Sequence, residues 1–228
     1  MSDDVSVVFD TETTGLDPSE GDRVIEIACI EIRDLMPTGR EFYALIDPCR
    51  SIPPDATRIH GRTDADVQGM PTFNMIAPRL IEFLGDKPLI AHNAPFDMGF
   101  INAELDIAGF PPLTNMVIDT VAIARSQFQG SNTLDTLCRR FGIDLSKRTK
   151  HDALLDTRLL SKVYLHLMGG PHRNLDLQSK DRKSAAEGAP MPTTIWPVRN
   201  LGGASAEELA LHEGFVERLK NPLWQGGR

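Results

Sequence analysis

The chain has 228 residues, of which 41% are hydrophobic and 25% are charged, and its formal net charge is −8. A chain of this length can bury a core, and its apolar runs all fall short of the roughly 20 residues that cross a membrane. The negative charge argues against a free nucleic-acid binder of high affinity, because neutralising phosphates requires a basic face. An acidic N-terminus and three scattered cysteines favour a reducing compartment. We therefore predict a soluble, cytoplasmic protein.

Three strand candidates open the chain. Residues 6–9, 24–32 and 41–46 are rich in β-branched and aromatic side chains, and stretches rich in Gly, Pro and Asp separate them. Connections as short as these predict an antiparallel meander of the three strands.

Helix and strand patterns alternate from residue 72 onward. Residues 72–84 have apolar side chains at helical spacing, with Pro78 either kinking the helix or marking its start. Short buried strands are predicted for "PLIAH" and "NMVIDT", and helices for "FDMGFINAEL", "NTLDTLCRRFGI" and "HDALLDTRLLSKVYLHLM". A meander followed by this alternation predicts an α/β domain over residues 1–170, with a mixed five-stranded sheet flanked by helices.

The composition changes after Gly170. Residues 171–203 carry prolines, glycines, charges and small polar side chains with little periodicity, which is typical of a flexible linker. Residues 204–228 predict a helix, because Ser205 and Glu208 form a capping box ahead of an apolar periodicity. An amphipathic helix beyond a linker has no core of its own to cover it, so we interpret it as a docking element.

Two acids lie at the end of the first predicted strand. Asp10 and Glu12 are two residues apart, and both carboxylates project to the same side of the sheet because strand side chains alternate between faces. Carboxylates placed side by side repel each other and resist burial, which raises the question of what they hold.

Two further acids lie on helix faces that are otherwise apolar. Asp97 shares a face with Phe100 near the start of its predicted helix, and Asp156 shares a face with Leu159 in the last long helix. Taken singly, each acid has an ordinary interpretation as a helix cap, a hydrogen-bonded buried acid or a solvated edge. It is less economical to assume a separate ordinary role for each of the four acids than to assume one site that they share.

Converging carboxylates need cations. The acids cannot all ionise in one small site without positive charge, and oxygen ligands suit Mg²⁺ or Mn²⁺. A pair of such ions is a known solution for hydrolysing a phosphodiester. His151, which precedes Asp156 by five residues, is then the natural general base for the attacking water, since a histidine pKa lies near neutrality. A lone histidine is otherwise an ordinary surface residue.

The segments "FDTETTGL", "AHNAPFDMGF" and "HDALLD" resemble the three exonuclease motifs of the DEDD nucleases, in the branch that carries a histidine. The resemblance extends through "IHGRTD" and the two helical segments around "SKRTK" to the C-terminal "EELALHEGF", and so covers nearly the whole chain apart from the linker. It implies a ribonuclease-H-like fold.

The resemblance also implies roles for individual residues. The implied metal ligands are Asp10, Glu12, Asp97 and Asp156, and the implied general base is His151. The implied contacts to the terminal nucleotide are Asp55, which replaces a longer Glu, and His60, together with Asp10, Glu12 and Asp156.

Among these nucleases the chain is most similar to those that proofread bacterial replication. The resemblance implies removal of mismatched nucleotides from a primer 3′ end as nucleoside 5′-monophosphates, with two divalent cations, Mg²⁺ or Mn²⁺, as cofactors. It implies that the C-terminal helix binds the polymerase (alpha) subunit. It further predicts a peptide for the sliding clamp in "HRNLDL", from His172 to Leu177, where histidine occupies a position that is usually glutamine.

Two alternatives remain open from the sequence. The first is a stand-alone DEDD exonuclease that acts on single-stranded DNA or short RNA, because the chemistry at the phosphodiester is the same. The second is a catalytically silent adaptor that joins a clamp and a polymerase through the C-terminal third of the chain. The predicted docking helix favours proofreading over the first alternative, and the intact set of acids argues against the second.

Overall fold

The computed structural model describes residues 5–170, in which five strands and seven α-helices form an α/β domain. The strands are β1 (Val5–Thr13), β2 (Val24–Arg33), β3 (Met36–Leu45), β4 (Leu89–Ala91) and β5 (Val117–Asp119). The α-helices are α1 (Pro54–His60), α2 (Asp64–Val67), α3 (Phe73–Leu84), α4 (Ala94–Ile107), α5 (Thr120–Gln127), α6 (Leu134–Arg140) and α7 (Ala153–Leu167), and a short 3₁₀ helix spans Pro18–Glu20.

The five strands form one sheet in the order β3-β2-β1-β4-β5. β1 pairs antiparallel with β2, and β2 with β3, so the predicted meander is confirmed. β4 pairs parallel with β1, and β5 with β4. The predicted mixed five-stranded sheet flanked by helices is therefore confirmed.

The core has one layer on each side of the sheet. Val7 and Phe9 pack towards α3 and α4, whereas Val8 packs towards α6 and α7. Strand side chains alternate between faces, so the even-numbered residues of β1 lie on the α7 side and the odd-numbered residues on the α4 side. This alternation places Asp10 and Glu12 on the α7 side and Thr11 on the α4 side.

Several elements differ from the sequence prediction. β1 continues past residue 9 to Thr13. α1, α2 and α5 were not predicted, because they are short and lack a long apolar period. Pro78 does not mark the start of α3, which begins at Phe73 and contains the proline.

The predictions for residues 171–228, namely the linker, the clamp peptide and the docking helix, lie outside the described residues. The proposed division of the chain at residues 170 and 203 therefore stays a prediction. Within residues 5–170, every helix is too short or too polar to cross a membrane.

Candidate active site

One cleft of about 1180 Å³ brings all the sequence-predicted site residues together. It opens where the C-terminal end of β1 meets the first turns of α4 and α7. Its lining includes Asp10, Glu12, Asp55, His60, Asp97, His151 and Asp156. Residues separated by up to 146 positions in the sequence thus share one cavity.

Asp10 and Glu12 enter the cleft from β1. Burial raises the pKa of Asp10 well above its ordinary value, and the negative charges of Asp97 and Glu12 raise it further. Burial, followed by the charge of Asp156, raises the pKa of Glu12 to about 8. The Oε1 atom of Glu12 is buried without a hydrogen-bond partner. The positive charge of Arg148 lowers both pKa values, but it does not offset burial and mutual repulsion.

Asp97 approaches from the opposite side of β1, in the first turn of α4. Its Oδ1 accepts hydrogen bonds from the Thr11 backbone N–H at 3.0 Å and from Thr11 Oγ1 at 2.7 Å. Burial nevertheless raises the pKa of Asp97 to about 7, although the bonds from Thr11 oppose the rise. Thr11, which lies between Asp10 and Glu12 in the strand, thus holds Asp97 Oδ1 in place.

Asp156 lies in the first turn of α7 and is 2% exposed. Asp152 caps this helix, since its Oδ1 accepts a hydrogen bond from the Leu155 N–H at 2.9 Å. Arg148 donates to both oxygens of Asp156, from Nε to Oδ1 at 2.6 Å and from Nη2 to Oδ2 at 2.7 Å. Arg148 was not among the predicted site residues, although the cationic run "KRTK" directly before His151 stands out in an acidic chain.

His151 lies beside Asp156 with about half of its side chain exposed. Its Nδ1 is 3.4 Å from Asp156 Oδ2 and 3.1 Å from Arg148 Nη2. Burial, followed by the charge of Arg148, lowers the pKa of His151, and Asp156 opposes that change. A neutral imidazole near pH 7 can accept a proton, which is what a general base requires.

His60 and Asp55 lie further along the cleft. His60 is buried, its Nδ1 accepts a hydrogen bond from the Arg62 backbone N–H at 3.0 Å, and its Nε2 has no partner. Burial and the charge of Arg62 lower the pKa of His60 to about 4. The neutral ring therefore carries its proton on Nε2, which is buried next to the Thr13 backbone. Asp55, by contrast, is an exposed acid that pairs with Arg58 on the cleft rim.

Arg62 links the two histidine-bearing segments to the sheet. Its guanidinium binds both carboxylate oxygens of fully buried Glu26, at 2.8 and 2.7 Å, and Asp152 Oδ2 at 3.0 Å. Glu26 is the cross-strand partner of Glu12, and its charge contributes to the raised pKa of Glu12 even though Arg62 pairs with it. The neighbouring segments are joined directly as well, because the His151 N–H donates to the Ile59 carbonyl at 3.2 Å. This network was not predicted from the sequence.

Arg62→Met is expected to lower the free energy of unfolding by about 3 kcal/mol, because it leaves the buried Glu26 carboxylate without its counter-charge. Urea unfolding followed by circular dichroism measures the loss. The matched control is Arg58→Met, which removes an exposed ion pair and should change stability by less than about 0.5 kcal/mol. The double variant Glu26→Leu/Arg62→Met should recover most of the loss. Equal stability of Arg62→Met and Arg58→Met would contradict the role of Arg62.

The acids of the cleft fit a divalent metal. They offer carboxylate oxygens, the ligand type that Mg²⁺ and Mn²⁺ prefer, and one of these oxygens, Glu12 Oε1, has no other partner. Ligand atoms of Glu12, His151 and Asp156 all lie within 4.8 Å of one another. The raised pKa values of Asp10 and Glu12 fit the same interpretation, since a cation would offset both burial and mutual repulsion.

Comparison with known proteins gives consistent matches. Residues 7–164 match the RNase_T family, described as Exonuclease. A protein of Rickettsia conorii named DNA polymerase III subunit epsilon is 45% identical over 96% of this chain and 98% of its own length. The protein of that name from Escherichia coli K12 is 40% identical over 96% of both chains.

Solved structures match the same part of the chain. Exonuclease X, solved with 5′-overhanging duplex DNA, has a TM-score of 0.57 and 25% identity, over 72% of this chain and 90% of its own. E. coli Exonuclease I, solved with a dA16 oligonucleotide, has a TM-score of 0.63 over 72% of this chain and 40% of its own. Its 18% identity supports the fold alone. The expected ribonuclease-H-like exonuclease fold is confirmed.

Proposed function

The chain belongs to the family of DNA polymerase III epsilon subunits and carries its 3′-5′ exonuclease domain, and from this premise we propose how its residues remove a mismatched nucleotide from a primer 3′ end. The observation that carries the proposal is the convergence of Asp10, Glu12, Asp97 and Asp156 with His151 in one cleft. We assign the four carboxylates to metal binding and His151 to proton transfer.

The carboxylates would hold two divalent cations, Mg²⁺ or Mn²⁺. Such cations supply charge stabilisation at the phosphodiester oxygens and lower the pKa of water. Asp10 and Glu12 come from one strand, whereas Asp97 and Asp156 come from the first turns of two helices. Ligands that come from three packed elements keep their spacing, which favours a fixed position for the reacting phosphate.

His151 is the proposed general base. Its Nδ1 faces the carboxylates, so a proton taken from water at Nδ1 would lie beside Asp156 Oδ2, now 3.4 Å away. The negative carboxylate stabilises the imidazolium that forms. The proton then has a route to solvent, because about half of the His151 side chain is exposed.

The terminal nucleotide would occupy the part of the cleft next to His60. Exposed apolar side chains line the cleft, including Leu16 and Ile59, and a nucleobase can pack on such surfaces. His60 would contact this nucleotide inside the cleft, and Asp55 would contact it from the rim. An unpaired 3′ end needs no unpairing energy to enter a cleft, so we propose a preference for mismatched primers.

The charge of the chain suits an exonuclease that is delivered by a partner. A net charge of −8 gives little intrinsic attraction to DNA. Residues 204–228 would bind the polymerase subunit, and the preceding linker would keep the cleft near the primer end at high effective concentration. The segment from His172 to Leu177 would add a contact to the sliding clamp.

The proposed delivery can be tested on a 3′-mismatched primer with and without the polymerase subunit. We expect the polymerase subunit to stimulate the full chain, because it provides the tether. A variant that ends at Gly170 should degrade the free primer at the full-length rate but gain no stimulation. Rates are measured by gel electrophoresis of end-labelled primer.

The variant that ends at Gly170 also separates the two enzymatic hypotheses. Equal stimulation of the shortened and full-length chains would contradict docking through the C-terminal segment. Equal rates on mismatched DNA, single-stranded DNA and short RNA, with no effect of the polymerase subunit, would favour the stand-alone nuclease.

A further inference from the structure

Arg148 is a cation inside the carboxylate cluster. Its side chain is only 9% exposed, and its guanidinium binds both oxygens of Asp156. The same group donates from Nη1 to Asp135 Oδ1 at 2.8 Å and from Nη2 to His151 Nδ1 at 3.1 Å. One guanidinium thus contacts a proposed metal ligand, the proposed base and an acid outside the proposed metal set.

The paired bonds to Asp156 bear directly on metal binding. A bidentate arginine takes the two carboxylate oxygens through short, charge-assisted hydrogen bonds, and here these are 2.6 and 2.7 Å long. A divalent cation on Asp156 needs the same oxygens and is repelled by the guanidinium charge. Arg148 and the metal therefore compete for Asp156.

The bond to His151 bears on the base. Nδ1 of a neutral imidazole has one lone pair, and the Arg148 Nη2 hydrogen bond uses it. That nitrogen cannot accept a proton from water while the bond persists. Arg148 thus links two events: its competition with the cation for Asp156 and the availability of His151 Nδ1 as a base.

Asp135 gives Arg148 a second attachment. It lies in the first turn of α6, and its side chain is 38% exposed, so it is a less buried partner than Asp156. An arginine that loses Asp156 keeps the bond from Nη1 to Asp135. The guanidinium can therefore leave the carboxylate cluster without leaving the cleft.

We propose that Arg148 is an internal counter-ion of the active site, which competes with the divalent cation for Asp156 and occupies His151 Nδ1 until the cation displaces it. The inference rests on the proposed function, since it takes Asp156 as a metal ligand. It assigns Arg148 a positioning role, in which metal loading and release of the base occur together.

The test is calorimetric titration of Mn²⁺ into the full chain and its Arg148→Gln variant, without DNA. Removing the competing charge should tighten Mn²⁺ binding about tenfold, as expected for a unit charge a few ångströms from the ion. Arg148→Lys keeps the charge and should bind Mn²⁺ nearly as the unaltered chain does. The matched control is Arg139→Gln, because Arg139 also faces Asp135, at 3.8 Å, but is 72% exposed.

Thermal melting shows whether the variants are folded and supplies a second readout. In chelator, Arg148→Gln should melt below the unaltered chain, because the carboxylates lose their counter-ion. Saturating Mn²⁺ should reverse the order, because the variant binds the ion more tightly. Arg139→Gln should follow the unaltered chain in both conditions.

The outcomes separate this inference from the function on which it rests. Unchanged or weaker Mn²⁺ binding by Arg148→Gln would overturn the counter-ion role, and so would equal tightening in Arg148→Gln and Arg148→Lys. If the unaltered chain and Asp10→Asn take up Mn²⁺ equally weakly, the proposed metal site itself is wrong. Binding by the unaltered chain that Asp10→Asn abolishes supports the metal site, whichever result Arg148 gives.

Discussion

Asp10→Asn is expected to lower metal-dependent 3′-5′ degradation by at least about 10³-fold while raising the melting temperature in chelator. The amide keeps the size of the side chain but removes a charge that, in the proposed function, binds a cation. The same charge is costly in chelator, because burial and the carboxylates of Asp97 and Glu12 already raise the pKa of Asp10. Activity and stability should therefore change in opposite directions, as they do where a site is organised for function at the expense of stability.

The measurements for Asp10→Asn are single-turnover degradation of a labelled primer in Mg²⁺ or Mn²⁺ and thermal melting in chelator. Asp106→Asn is the matched control, because it removes an exposed carboxylate from the same acidic chain, far from β1 in sequence. It should leave both quantities unchanged. A parallel loss of activity and stability in Asp10→Asn would indicate a structural role for the carboxylate, and an undiminished rate would reject its assignment as a metal ligand.

Strand geometry made half of the site predictable. The alternation of strand side chains places Asp10 and Glu12 on one side of the sheet from their spacing alone, and the structure confirms that placement through Val8, which packs towards α7. The same rule sends Thr11 to the opposite side, where it bonds Asp97. Asp97 and Asp156 were identifiable because a carboxylate on an apolar helix face is an anomaly.

The cationic partners of the site were not predictable in the same way. Arg62 meets Glu26 across 36 residues, and no periodicity relates a loop to a central strand at that separation. Arg148 is only eight residues from Asp156, but the loop between them has no regular spacing that would aim the guanidinium. Arginine side chains are long and usually solvated, so a sequence alone favours the surface for both residues.

Glu26 and Glu12 are paired across two strands of the sheet, but they differ in their charged partners. Glu26 is fully buried and bound on both oxygens by Arg62, so its charge is paired within the protein, although it still raises the pKa of Glu12. Glu12, its cross-strand neighbour, is left with a free oxygen and a pKa raised to about 8. Two glutamates at one register position thus differ in availability, and only Glu12 can offer its charge to a ligand in the cleft.

His151→Gln is expected to lower kcat by about 10²- to 10⁴-fold, the usual contribution of a general base, with little change in KM for DNA. Glutamine can still accept a hydrogen bond from Arg148 through its side-chain oxygen, but it cannot take a proton from water. Steady-state degradation of a labelled primer measures both constants. His166→Gln is the matched control, because that histidine stacks on Phe141 and does not line the cleft.

Mn²⁺ titration of His151→Gln decides between two roles that the geometry admits. Ligand atoms of His151, Glu12 and Asp156 lie within 4.8 Å of one another, a spacing that would also suit a nitrogen ligand to the metal. A general base leaves Mn²⁺ affinity nearly unchanged when it is replaced, whereas loss of a ligand should weaken binding by about tenfold or more. We expect the first result, because the ring is half exposed to solvent and the neighbouring carboxylates supply the oxygen ligands that Mn²⁺ prefers. A large loss of Mn²⁺ affinity would move His151 from the base to the metal.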